Sequence, residues 1–370
     1  MPKKLMLHIG HHKTGSSYLQ SVLTASIKEL ESEGISYQAP KAAELVAKGR
    51  TSNGNLNEFK NLMTSPEPAV SDGLPTHVFS SEDFFGQLSE VEFRAKFRDL
   101  ISSGVYDRIE VLLFIRDPVS QAVSAYQQRI KGGSLTLETI AESFKRDDFP
   151  RRVNEVLNFL DEFSCISITV KNYSAVRAHL LDEFCSWLGV EKSILKLPPL
   201  STVNRSMTAS ELMLLAAMSN EVGNPGVILT DALCYELPDQ PADEMRPPVS
   251  EQEALWERHS ADIERINARV APEHRYDKDR DIKEPKASIE NAEFSPDQVR
   301  VIAGSYAGLV LRLVNLQKSL TDTNSHILQM GERNQDLTAK LAETRERNQA
   351  MLAQIEDLRA RIVKLRGPTP

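Results

Sequence analysis

The sequence predicts an α/β fold, a parallel β-sheet flanked by helices, followed by a long C-terminal α-helical coiled coil. Three observations point there. Short apolar segments of strand length alternate with stretches of helical character, a pattern that pairs strands in parallel with helices on both faces. The apolar run Ile109–Ile115 has the make-up of a strand buried on both sides. Beyond Pro296 a heptad repeat of apolar residues is sustained almost to the end of the chain, longer than an amphipathic surface helix needs.

Taken in order, Leu5–Ile9 is the first core strand. A Gly-containing loop leads into a helix that Ser17–Leu23 opens, that runs to about Glu33 and that Gly34 stops. Residues 40–75 are polar and spotted with Gly and Pro, which predicts loops and short helices. Thr76–Ser80 is the second strand and ends at Ser81-Glu82-Asp83. Arg116-Asp117-Pro118 closes the strand Ile109–Ile115, with Asp117 suited to a helix N-cap and Pro118 to the first helical position. The helix that follows carries Ser124, Tyr126 and Lys131 and ends at Gly132-Gly133. Ile166–Val170 is a further strand, followed by a helix through Leu188. Pro238, Pro241, Pro247 and Pro248 mark residues 237–249 as an irregular surface loop. Residues 277–296 are dense in Asp, Lys and Glu and read as a linker. The expected division is an α/β domain over 1–280, a charged linker over 281–295 and a helical coiled coil over 296–366.

A formal net charge of −8 argues against a general nucleic-acid binder. Cys165, Cys185 and Cys234 lack metal-ligand spacing and read as reduced thiols of a cytoplasmic protein. No run approaches the ~20 apolar residues of a membrane helix. The N-terminal apolar segment is too short for a signal peptide, so no transmembrane segment is expected.

The first motif with chemistry is the loop His8-Ile-Gly-His-His-Lys-Thr-Gly-Ser-Ser17 between strand and helix. Amides at such a helix start converge on an anion, and the helix dipole favours it. Gly10 and Gly15 allow close backbone approach. Lys13 adds charge, and Thr14, Ser16 and Ser17 add hydroxyl donors. The loop is not a Walker A motif, in which Lys follows the last Gly; here Lys13 precedes Gly15. The second motif is Phe114-Ile-Arg-Asp-Pro118 with Ser124. Arg116 stands at the C-terminal edge of a strand, where open α/β sheets bind ligands. Arg116 and Ser124, two helical turns on, suit one terminal phosphate. Asp117 as a Walker B-type metal ligand is the rival reading, and the Pro after it favours a cap. The third is Ser80-Ser81-Glu82-Asp83, whose carboxylates lie at the same sheet edge. Asn204-Arg205-Ser206 is a weaker candidate, matched by a plain capping turn before Thr208.

Together Lys13–Ser17 and Arg116-Asp-Pro with Ser124 resemble the two nucleotide motifs of the sulfotransferases that use 3′-phosphoadenylyl sulfate (PAPS). The resemblance extends to their bacterial carbohydrate-type members, which are similar to heparan sulfate sulfotransferases, and covers roughly residues 1–280. It implies a P-loop-like sulfotransferase fold, PAPS as co-substrate with no metal, and a hydroxyl acceptor, a glycan or glycolipid. It implies that Lys13 contacts the sulfonate and bridging oxygen, Gly15–Ser17 the 5′-phosphate, and Arg116 with Ser124 the 3′-phosphate. Glu82 then takes the acceptor proton as general base, with His11 or His12 as the alternative. Ser17 stands where the family more often has Thr, and Gln121 where a second Arg often follows. Two other classes stay open: a kinase or NTPase, which Mg²⁺-dependent ATP hydrolysis would reveal, and a non-catalytic coiled-coil adaptor, against which intact Lys13, Glu82, Arg116 and Ser124 argue.

The C-terminal heptads place Leu313, Leu320, Ile327, Asn334, Leu341, Asn348, Ile355 and Ile362 at a. They place Leu309, Leu316, Thr323, Met330, Leu337, Thr344, Met351, Leu358 and Leu365 at d. Glu332-Arg-Asn-Gln335 recurs as Glu346-Arg-Asn-Gln349 two heptads on. Asn at a favours a parallel two-stranded seam. The e and g positions hold Arg and Lys and no acid. A parallel homodimer is expected, with an acidic-flanked partner helix as the alternative.

Overall fold

Five strands build one sheet in the order β2-β3-β1-β4-β5, every adjacent pair parallel. They are β1 (Lys4–Gly10), β2 (Ile35–Tyr37), β3 (Thr76–Ser81), β4 (Arg108–Ile115) and β5 (Ile166–Asn172). This computed structural model describes residues 3–11, 13–40, 43–48, 54–65, 72–132, 140–199, 205–222, 226–285 and 293–366. Leu5, Met6 and Ile9 of β1 and Val111–Ile115 of β4 are fully buried, as expected of central parallel strands covered on both faces. Leu5, Leu7 and Ile9 pack in one apolar cluster with Phe59, Phe84 and Phe97. Met6, Leu112 and Phe114 face the other way, among Leu19, Val22 and Phe184. Alternate side chains of β1 and β4 thus fill two separate cores, the period-2 consequence of the pleat.

The expected strands are present, each extended by a residue or two at one or both ends. The three-residue edge strand β2 is an addition. The first expected helix is two: α1 (Ser16–Ala25) and a short helix Ile27–Ser32. Between them the Ser26 hydroxyl accepts a hydrogen bond from the Lys196 amide at 2.8 Å. Helix α2 (Pro118–Lys131) follows β4, with Pro118 at its first turn and Gly132 at its C-cap; Gly133 lies outside the described residues. After β5 come the single turn Tyr173–Val176, a 3₁₀ turn Arg177–His179 and α3 (Leu180–Leu188).

Asp117 stands at the N-cap position of α2 but makes no side-chain cap. It is fully buried, and its carboxylate is held by Arg280 at 2.6 and 2.9 Å and by Asn172 at 2.7 Å. A buried carboxylate needs such a cation more than it needs amides. The amides of Val119 and Ser120 go instead to Asp281, at 2.6 and 2.8 Å. Arg280 and Asp281 belong to the charge-rich stretch read as linker, and here they bind into the core.

The chain forms two compact units, Met1–Ile302 and Ala303–Pro370. The boundaries expected at 280/281 and 295/296 fall inside the first. In that unit Gln298 donates to Thr208 and Glu211, and Val301 is buried beside Leu212 and Leu233. The second unit is the continuation of one helix, α5 (Pro296–Arg366), that begins in the first; α4 (Ala209–Val222) precedes it. Although no unbroken apolar run reaches membrane-spanning length, α5 contains an 18-residue window of mean hydropathy 1.4, long and apolar enough by those measures to cross a membrane.

Candidate nucleotide and transfer site

The sheet order creates the position of the site. The chain leaves β1 toward β2 and β3 on one side and leaves β4 toward β5 on the other. Between the carboxyl ends of β1 and β4 the connections diverge, and open α/β sheets bind ligands in that crevice.

From β1, Gly10 runs into the loop. Gly15 caps α1 in the left-handed region at φ 81°, and Lys13, at φ 66°, is the one non-glycine residue with positive φ among the described residues. A Cβ on Gly15 would lie 2.4 Å from the Leu180 side chain, and one on Gly10 would lie 1.9 Å from the Ser16 hydroxyl. Gly10 is held to glycine by contact, and Gly15 by its left-handed conformation. Thr14 is buried and donates to the His11 carbonyl at 2.6 Å, which folds the loop on itself. The Ser16 hydroxyl is buried with no hydrogen-bond partner. It stands in the first turn of α1, where backbone N–H groups also lack intrahelical acceptors. An acceptor-rich anion satisfies both.

From β4, Arg116 reaches back across the crevice. Its Nη1 donates to the Lys13 carbonyl at 3.2 Å, and its guanidinium lies 5.7 Å from the centre of the Tyr173 ring. Ser124 is buried on α2.

These elements meet in one cavity of about 420 Å³, lined by Lys13, Ser16 and Ser17 from the loop, Arg116 and Ser124 from the second element, and Glu82 from the end of β3. Gly15 also borders it. Tyr173 and Arg177, just beyond β5, line it too, and sequence reasoning passed over them. They belong to no motif, and only their place after a strand's carboxyl end could have drawn attention. Asp243 and Glu244 bring the proline-rich loop to the same cavity. Both carboxylates are engaged, Asp243 with the Ala209 amide and Glu244 with Arg246.

Lys13 is half-buried. Burial, followed by the charge of Lys131, lowers its pKa from 10.5 to about 7; Glu82 and Cys234 pull the other way. Burial lowers the Arg116 pKa as well. Burial thus penalises the charge of both side chains, a cost that a nearby anion would offset.

His11 is not among the cavity's lining residues. It is buried against Phe85 and Phe149, with ring centroids 4.6 and 4.3 Å away. His12 and Asn204 lie outside the described residues. Arg205 borders the cavity, but its guanidinium is bound bidentately by Glu211 at 2.7 and 2.8 Å. Thr208 and Glu211 exchange the reciprocal bonds of a capping box at the start of α4. Among the described residues no three His, Cys, Asp or Glu gather as a metal site.

No protein-family model matches the chain, and no curated protein matches it in sequence. Among the solved structures that resemble it are these three. A sulfotransferase from Alicyclobacillus acidocaldarius is 16% identical over 59% of this chain and 92% of its own, with a TM-score of 0.29. The sulfotransferase domain from the curacin biosynthetic pathway is 15% identical over 70% and 98%, with a TM-score of 0.31. A retinol dehydratase solved with androsterone and the inactive cofactor PAP is 10% identical over 72% and 81%, with a TM-score of 0.30. At such TM-scores these likenesses decide nothing about the site, whose chemistry follows from its own residues.

Proposed function

We propose that this chain transfers the sulfuryl group of PAPS to a hydroxyl acceptor, a carbohydrate or glycolipid. The observation that carries the reading is the meeting of two anion-binding elements and one carboxylate, Glu82, in a single cavity. The loop amides, Ser16, Ser17 and Lys13 hold the 5′-phosphosulfate. Arg116 and Ser124, with Arg177 beside them, hold the 3′-phosphate. The acceptor oxygen forms a bond to sulfur as the bond from sulfur to the bridging oxygen breaks. Glu82 takes the acceptor's proton, and adenosine 3′,5′-bisphosphate leaves. Lys13 and the helix start neutralise the charge that grows on the leaving oxygen, where electrostatic stabilisation contributes most.

Sulfur-labelled PAPS incubated with glycan and lipid fractions tests this. Label should pass to an acceptor, and Glu82→Gln should bind the bisphosphate normally while turnover falls by ~10²-fold or more, the scale of a lost general base. Undiminished turnover in Glu82→Gln removes the base assignment. Mg²⁺-dependent ATP hydrolysis without sulfuryl transfer removes the reaction.

A further inference from the structure

From Leu313 to Ile362 the apolar a and d side chains of α5 are 45% to 66% exposed. They form one stripe along a continuous helix, and an apolar stripe of that length calls for a partner. We infer that a second copy of this chain covers it, in a parallel, in-register, two-stranded coiled coil.

The charges flanking the stripe are compatible with a second copy. In a parallel pair, a g residue of one helix faces the e residue five positions on in the other. Arg312, Arg333 and Arg347 at g then face Gln317, Thr338 and Leu352, and Arg359 at e faces Gln354 at g. None of these is a like-charged pair. Two pairings do oppose cations: Lys340 with Arg345, and Arg361 with Arg366. In each, the g member is already bound to an acid one turn back on its own helix. Lys340 Nζ lies 2.7 Å from Asp336 and Arg361 Nε lies 2.9 Å from Asp357. The basic flanks therefore do not oppose self-pairing, because the two conflicts are neutralised in cis. An acid-flanked partner would have to compete with these internal pairs.

The core carries the second argument. Asn334 and Asn348 occupy a positions two heptads apart. An Asn at a finds its partner in the same layer when two copies run parallel and in register, and it selects two strands over three. Any slip of one heptad would set both Asn residues against Leu or Ile, an unpaired polar group in each layer. Both chains consequently enter the rod at the same end, and the helix from Ala303 to Arg366 spans roughly 95 Å at 1.5 Å per residue.

Sedimentation of the full chain at micromolar concentration, with disulfide trapping, tests the inference. The full chain should sediment as a dimer, and the dimer should hold as salt is raised, since no opposite charges pair across the seam. Leu341→Cys, at a, should give disulfide-linked dimers on mild oxidation, while Ala339→Cys, at the outward f position, should not. Arg345→Glu replaces the Lys340–Arg345 opposition with opposite charges twice per dimer and should tighten self-association roughly threefold, since Asp336 already holds Lys340. A monomer at every salt concentration overturns the inference; capture by anionic vesicles or by an acidic helix would then name the other occupant. Cross-linking at 339 in place of 341, or weaker association in Arg345→Glu, overturns the parallel register.

Discussion

Titrating the protein with adenosine 3′,5′-bisphosphate at about pH 8 should draw a proton from the buffer, and Lys13 supplies the reason. In the free protein its pKa lies at about 7, so roughly nine-tenths of the side chain is neutral at that pH. Phosphate oxygens beside it favour the ammonium form. The ligand's own phosphates do not titrate there, since a phosphomonoester has its second pKa at ~6. Binding should therefore take up close to one proton, and affinity should fall by about tenfold per pH unit above 7. A return from about 7 to the ordinary 10.5 is worth roughly 5 kcal/mol, a ceiling for a group that is half-buried. The sign for the ligand-free fold follows the same values. The unfolded chain binds the extra proton between pH 7 and 10.5, so stability rises with pH across that window. Lys13→Met should accordingly stabilise the empty protein at neutral pH and abolish the proton uptake. Calorimetry in two buffers of different ionisation enthalpy reads the uptake directly. A wild-type protein that binds with no uptake and flat affinity from about pH 7 to 9, or a Lys13→Met variant that keeps the uptake, refutes the reasoning.

Gly15→Ala combines a left-handed φ with a contact of 2.4 Å and should cost about 1–3 kcal/mol while abolishing bisphosphate binding; a thermal melt and a titration within error of wild type would contradict it. His8 is buried, its Nδ1 bonded to the Ser80 hydroxyl at 2.8 Å, and burial lowers its pKa from 6.5 to about 3. It stays neutral in the fold, so its contribution is complete above pH 6.5 and is lost as pH falls toward 3, about 2 kcal/mol by pH 5. Asp147, raised by burial to about 6, acts with the opposite sign over part of that range. The readout is therefore the difference between wild type and His8→Asn in denaturant melts at about pH 7 and pH 5, which should shrink toward pH 5; a constant difference contradicts the assignment.

That Lys13 and Arg116 would meet in one cavity was legible because each sits in a local signature. Lys13 lies in a Gly/Ser loop between a strand and a helix, and Arg116 ends an apolar run. Neighbours in sequence determine both positions. The same holds for β1, β3, β4 and β5, whose short apolar-rich segments lie within the strands observed. What escaped was set by distant partners. Asp117 looked like a cap from its neighbours, yet Arg280 claims it and Asp281 takes over the amides. Those two residues looked solvated because charge density usually means a linker. β2 escaped because three residues, Ile35-Ser-Tyr37, carry too short a pattern. The break in the first helix falls at Ser26, whose hydroxyl accepts from the distant Lys196 amide. Tyr173 and Arg177 join the cavity only because β5 ends beside β4. His11 shows the converse: a histidine in an anion loop suggested chemistry, and the fold packs it between two phenylalanines.

The central claim is that this cavity binds a nucleotide carrying both a 5′-anion and a 3′-phosphate. Calorimetric titration of wild type and Arg116→Ala with adenosine 3′,5′-bisphosphate and with adenosine 5′-phosphate tests it most directly. The wild type should prefer the bisphosphate. Arg116→Ala should lose roughly ten- to a hundred-fold in affinity for it, the scale of a charge-assisted hydrogen bond, and far less for the 5′-phosphate alone. Equal losses for the two ligands, or a wild type that binds neither, would contradict the account.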